Sequence, residues 1–360
     1  MKKQRHRNRR YKKWNSVEKH LVITKDKKII ITFPDGNDKK FNIGISGSEV
    51  ASSISKSLEK EAIAIQINNE IKDLSYQIKT DCSLKIIKRE NEEALELIRH
   101  DCAHIMAEAV QSLFPKTKVA IGPAIENGFY YDFARDKPFT TNDLVTIEKK
   151  MHEIILKNEK FECENWSKEK ALEFFKKKEE LYKVELINDL PRDEHITIYK
   201  QGSWLDLCKG PHMPSTKLVG KGFKLTKVAG AYWRGDSNKT MLTRIYGTAW
   251  RNETELKEHL IQLEEAEKRD HRKLGKEMDL FHFQEEAPGA VFWHPKGWRL
   301  FQSLITYMRN RQEEANYIET STPDLLDRSL WEASGHWEKF GENMFTTEPK
   351  EERIFAIKPM

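Results

Sequence analysis

Two short motifs constrain this chain more than any other feature: His100-Asp-Cys-Ala-His104 and Cys208-Lys-Gly-Pro-His212. Residues 91 to 114 predict one helix, with Glu92 and Glu93 in its first turn, apolar side chains at Leu95, Ile98, Met106, Ala109, Val110 and Leu113, and Pro115 as the stop. His100 and His104 then lie one turn apart on the same face. In the second motif Gly210 and Pro211 forbid a continued helix, so Cys208 and His212 project from a turn that follows a short strand around Ser203 to Leu207. If the four side chains serve one site, the fold must bring a helix face and a distant turn to a single point.

Spacing leaves three readings of this set open. Paired helical imidazoles with a third imidazole and a thiolate suit a tetrahedral zinc ion. The same groups suit metal-free hydrolysis, in which imidazoles move protons while the thiol and Asp206 position water. The third reading is structural: a buried cysteine and unrelated histidines, in a chain with 12 His and 4 Cys.

Composition narrows the class of protein. A chain of 360 residues has room for two or three domains, and 38% hydrophobic residues supply real cores. No apolar run approaches the roughly 20 residues of a membrane span. Cys82, Cys102, Cys163 and Cys208 form no CxxC pair, which fits a reducing compartment and predicts a cytoplasmic protein. The net charge of +5 is unevenly spread: Lys2, Lys3, Arg5, Arg7, Arg9, Arg10, Lys12 and Lys13 carry eight positive charges, leaving the rest of the chain at -3. Residues 1–19 lack the apolar stretch of a secretory signal and are expected to form a disordered basic tail. With Tyr11 and Trp14 interleaved, that tail is either a nucleic-acid contact or simply solvated.

The rest of the chain predicts an α+β organisation. Residues 20–88 alternate like a small β-grasp module, with strands at Leu21 to Thr24, Lys28 to Phe33 and Lys39 to Ile43, a helix from Ser46 to Glu59, and strands at Ala62 to Ile67 and Leu84 to Ile87. Residues 89–250 mix the histidine helix with helices at Thr141 to Lys157 and Ser167 to Lys178 and strands near Thr197, Trp204 and Leu242. Residues 251–276 predict a long solvated linker helix, with Leu256, Leu260 and Leu263 on one face. Residues 277–360 predict an amphipathic helix from Trp298 to Ala315 and a strand from Tyr317 to Thr320.

Several blocks resemble one family closely, bacterial threonyl-tRNA synthetase. They are Arg99-His-Asp-Cys-Ala-His104, Ala120-Ile-Gly-Pro-Ala-Ile-Glu-Asn-Gly-Phe-Tyr-Tyr131, Asp206-Leu-Cys-Lys-Gly-Pro-His212, Gly230-Ala-Tyr-Trp-Arg-Gly-Asp236 and Gly247-Thr-Ala-Trp250. Met308-Arg-Asn-Arg-Gln312, Thr322-Pro323, Leu330-Trp-Glu-Ala-Ser-Gly-His-Trp337 and Met344-Phe345 look like that family's motif 1 region, where the proline lies near a homodimer interface. The resemblance implies a β-grasp TGS domain, an α+β editing domain, a linker helix and the start of a class II antiparallel-sheet catalytic core. It also implies an editing pocket lined by His100, His104, Cys208 and His212, with Asp206 as its acidic residue, Lys183 in Tyr182-Lys-Val-Glu185 as its basic one, and Tyr199 near the substrate. Family editing domains of this type are understood to work without a metal, whereas the related alanyl-type domains use the same pattern to hold zinc. The implied partner is tRNA(Thr), with a serine or threonine ester at its 3′ end.

Such a pocket answers a physical need. Threonine and serine differ by one methyl, and a methyl discriminates by only about 1 to 3 kcal/mol, so a synthetic site alone cannot exclude the smaller serine. A second site would hydrolyse seryl-tRNA(Thr), with His100 or His104 carrying the proton and Lys183 near the developing oxyanion or the terminal adenosine. Within the family, Ile357-Lys-Pro-Met360 immediately precedes the first ligand of a catalytic zinc. The remaining zinc ligands, the ATP and magnesium site and the anticodon-binding domain are therefore expected beyond Met360, and 360 residues alone are expected to edit rather than to synthesise. Lys209 stands where the family commonly has Arg, which keeps charge but changes hydrogen-bond geometry. Two alternatives are a tRNA-binding module without catalysis and a zinc-dependent editing domain.

Overall fold

The computed structural model describes residues 28–191, 194, 196–347 and 353–358. The basic tail and the strand expected at Leu21 to Thr24 lie outside these residues. The chain divides into two compact units, Met1–Glu264 and Glu265–Met360.

The first domain of the larger unit is a mixed five-stranded sheet. Its strand order is Asp38–Asn42, Lys28–Thr32, Cys82–Lys88, Ala62–Ile67 and Glu70–Asp73. Lys28–Thr32 and Cys82–Lys88 run parallel, and the other neighbours are antiparallel. Alternation along Lys28–Thr32 buries Ile29 and Ile31, which pack with Val50, Ile65 and Leu84. The single helix expected over Ser46 to Glu59 is two, Gly47–Ile54 and Lys56–Glu61. Ser46 and Glu49 form a reciprocal capping box on the first, and Ser55 caps the second through Leu58 N–H, so each serine starts a helix of its own.

The second domain holds two antiparallel sheets. The larger orders Phe223–Tyr232, Met241–Ala249, Gly128–Ala134 and Lys118–Val119, and the helices Ala94–Leu113 and Thr141–Lys157 cover it. The smaller orders Phe161–Trp166, Ile196–Gln201 and Trp204–Leu207, and Ala171, Phe175 and Ile187 of two short helices cover it. The histidine helix is almost entirely buried, from Ala94 to Val110. Its first turns share a core with the first domain, where Ile63, Ala64 and Ile87 meet Ala94, Leu97 and Ile98. The two domains are thus joined by apolar packing at the helix that carries His100.

The expected linker helix is broken. Glu253–Lys268 ends, Asp270 accepts from Arg272 N–H, and a second helix runs from His271 to Glu277. In the smaller unit, Pro295–Glu314 is helical, as expected from its amphipathic pattern. The strand expected at Tyr317 to Thr320 is irregular chain. Asn316 ends the preceding helix at φ +63°, and no strand among the described residues pairs with this segment, so its backbone has no ladder to join. Among the described residues, no helix is long and apolar enough to cross a membrane.

Candidate active site

The histidine helix and the Cys208–His212 turn do converge. His100 Nε2 lies 3.0 Å from Cys208 Sγ, and Cys208 Sγ lies 3.3 Å from His212 Nε2. The ring centroids of His104 and His212 are 4.5 Å apart, and those of His100 and His212 4.6 Å. The turn owes its shape to Gly210 at φ +68°, a conformation costly for any residue with a Cβ. A Cβ there would also meet the Tyr199 hydroxyl at 2.2 Å. Gly210 N–H donates to Cys208 Sγ at 3.2 Å, which turns the thiol inward.

Lys183 and Asp206, expected beside this cluster, pair at 2.7 Å with both side chains 2% exposed. Lys183 comes from the helix Leu181–Asp189 and Asp206 from the strand Trp204–Leu207. Sequence reasoning missed the group that joins them, Tyr131. Its hydroxyl donates to Asp206 Oδ2 and accepts from Lys183 Nζ at 3.0 Å. Tyr131 sits inside a block that signals kinship, but nothing in its spacing marks it as a site residue. Tyr199 touches the site with its ring, 4.4 Å from that of His212, while its hydroxyl donates to Asp73 Oδ2 at 2.6 Å. Lys209 is exposed.

Asp101, inside the first motif, was also missed. It is fully buried, lies 2.7 Å from His212 Nδ1 through Oδ1, and accepts from Met213 N–H through Oδ2. Burial drives this carboxyl up and the His212 imidazole down to about 4. Burial, with the neighbouring His212, likewise lowers His100 to about 4, and burial pushes the Cys208 thiol up to about 12. His104 is held well below its ordinary value by burial and by the other two histidines. Its Nδ1 is buried without a hydrogen-bond partner.

His100 opens onto a cleft of about 610 Å³. Glu70, Ile71 and Lys72 of the first domain line one wall, and His100, Gly210 and Pro211 reach it from the second. The four donor atoms of His100, His104, Cys208 and His212 lie within 4.8 Å of one another, so the set could also hold a metal ion. Chemically the arrangement supplies neutral imidazoles as proton acceptors, a thiol, and a buried ammonium paired with a carboxylate.

The fold and site define a class. Residues 29–88 match the TGS domain, and residues 196–246 match the second additional domain of threonyl and alanyl tRNA synthetases. A threonine–tRNA ligase of Pelagibacter ubique (strain HTCC1062) is 60% identical over 331 residues, which is 92% of this chain and 52% of that protein. One from Bartonella bacilliformis (strain ATCC 35685 / KC583 / Herrer 020/F12,63) is 59% identical over 337 residues, 92% of this chain and 51% of that protein. A solved structure described as the RNA binding domain of threonyl-tRNA synthetase from Cryptosporidium parvum Iowa II is 40% identical over 26% of this chain and 23% of its own, with a TM-score of 0.25. The chain is a homologue of the N-terminal part of threonine–tRNA ligases and spans about half the length of the curated relatives it matches.

Proposed function

We propose that this chain carries the editing half of a threonine–tRNA ligase and hydrolyses the ester of seryl-tRNA(Thr). The observation that carries the reading is the convergence of three neutral imidazoles and a thiol, with His100 on a cleft and the buried Lys183–Asp206–Tyr131 network in the same domain. In the proposed step, water attacks the ester carbonyl carbon and gives its proton to an imidazole. The tetrahedral oxyanion then collapses, the bond to the ribose oxygen breaks, and that oxygen takes a proton as serine leaves. His100 borders the cleft, so it is the imidazole an incoming water would reach first. Lys183 supplies fixed positive charge in a water-poor setting, where it acts most strongly on developing negative charge. The mutual crowding of the His104, Trp204, His212 and Tyr199 rings is the feature that would favour serine over threonine.

A second reading, zinc-dependent hydrolysis, is favoured by one contact. Asp101 at the outer nitrogen of His212 is the partner that metal-bound imidazoles commonly have. In that case His100, His104, Cys208 and His212 would hold the ion, which would activate water.

The proposal extends to the whole enzyme that such a chain would serve: a cytoplasmic ligase for threonine, tRNA(Thr) and ATP with magnesium and a catalytic zinc ion, working as a homodimer. The exposed apolar row Leu300, Leu304, Tyr307 and Met308 on the helix Pro295–Glu314 is compatible with such self-association.

The deciding experiment is serine release from purified seryl-tRNA(Thr), with threonyl-tRNA(Thr) as the competing substrate. Serine-selective release, abolished by Cys208→Ala and His104→Ala, is expected. A folded chain that binds tRNA and releases nothing would leave a binding module instead. Zinc measured in chelator-washed protein separates the two chemistries: stoichiometric metal lost on Cys208→Ala would move the mechanism to the metal.

A further inference from the structure

Asp73 ends the strand Glu70–Asp73 in the first domain, yet its carboxylate is committed to the second. Oδ1 accepts from the backbone N–H of His212 at 2.7 Å, and Oδ2 accepts from the Tyr199 hydroxyl at 2.6 Å. The rings of Tyr199 and Phe161 both pack against the His212 ring. Tyr199 is 4.4 Å from that ring, and Phe161 stacks on it at 4.8 Å with an interplanar angle of 16°. The same Tyr199 hydroxyl passes so close to Gly210 that no Cβ fits between them. One carboxylate therefore grips the turn at its His212 backbone and, through Tyr199, at Gly210, whose own N–H points the Cys208 thiol.

A contact made only to join domains would not need this placement. Joining is already achieved by the apolar core of Ile63, Ala64 and Ile87 against Ala94, Leu97 and Ile98.

We infer that Asp73 is a positioning residue for the site: the first domain completes it by fixing the Cys208–His212 turn against the histidine helix. The inference rests on the hydrolytic reading above. Without the carboxylate, a buried His212 N–H and Tyr199 O–H lose their acceptor, and the turn relaxes toward other partners. Displacement of a reacting group by a fraction of an ångström to an ångström costs rate far more than binding, on the order of tenfold to a hundredfold.

The test compares Asp73→Ala, Asp73→Asn and Ile87→Val in the full chain. Ile87→Val loosens the shared core without touching the turn. For each variant, kcat and KM for serine release, the melting temperature, and the imidazole resonances of His100, His104 and His212 are measured. Asp73→Ala is expected to lower kcat by about tenfold or more with KM within about twofold, and to shift the three histidines' resonances together. Asp73→Asn, which keeps one carbonyl acceptor for the His212 amide, is expected to recover part of kcat. Ile87→Val is expected to lower the melting temperature while leaving kcat and the resonances unchanged. Unaltered kcat in Asp73→Ala, or a loss matched by Ile87→Val at equal destabilisation, would overturn the inference. If the unaltered chain releases no serine, the hydrolytic reading fails on its own. The resonances then decide on Asp73, and unmoved imidazoles in Asp73→Ala would reject its role.

Discussion

With each side chain 2% exposed, Lys183 and Asp206 are charges removed from water and kept there by each other and by Tyr131. Burying such a pair yields little net stability, whereas breaking it strands a charge at a cost of about 3 to 5 kcal/mol. Lys183→Met should therefore destabilise the chain by about that amount, read by urea unfolding. The double variant Lys183→Met/Asp206→Leu should regain most of the loss and still fail to release serine. Recovery of hydrolysis in the double variant would show that the pair is only structural. The histidines give an equally direct sign. With His100 and His212 lowered to about 4, both imidazoles are neutral, and competent as bases, at any pH above that value; they are lost only as pH falls through it. After subtraction of spontaneous ester hydrolysis, serine release should be flat from about pH 5.5 to 8, and an inflection near the ordinary histidine value of about 6.5 would mean that a more exposed group carries the proton.

At the scale of elements, legibility followed the range of the interactions that define each one. The histidine helix was readable because its apolar positions repeat with helical period and Pro115 stops it, and it spans Ala94–Leu113. The helix Thr141–Lys157 has its Thr140–Asp143 capping box written in the sequence. Where one helix was expected and two formed, the cause is again local: Ser55 and Asp270 act as caps inside what read as continuous patterns. The helix Leu181–Asp189, which delivers Lys183, has no side-chain cap and only Lys183 and Ile187 buried, so its pattern carries little signal. The site divides in the same way. His100, His104, Cys208 and His212 were legible because each pair is close in sequence and their residue types share a chemistry. Asp73 and Tyr131 were not, because their roles depend on partners 139 and 75 residues away. Only the register of folded strands brings those groups together.

At the scale of the molecule, the two compact units differ in how much they bury. Residues up to Glu264 hold apolar cores within the first domain, against the larger sheet of the second domain and beneath its smaller one. Between Glu265 and Met360, the buried apolar side chains among the described residues are Trp331 and Ala356, while Trp298, Leu300, Leu304 and Met308 stay exposed. Cooperative unfolding draws on buried apolar area, at roughly 25 cal/mol per Å², so the smaller unit alone has little to set against its conformational entropy. The catalytic candidates and Asp73 all belong to the larger unit. A chain ending at Glu264 should therefore keep the main calorimetric transition, and its serine release should match that of the longer chain. The segment from Glu265 onward, made by itself, should unfold without a sharp heat-absorption peak. A cooperative transition in that segment, or loss of serine release from the shortened chain at unchanged melting temperature, would mean that the site depends on residues beyond the unit that contains it.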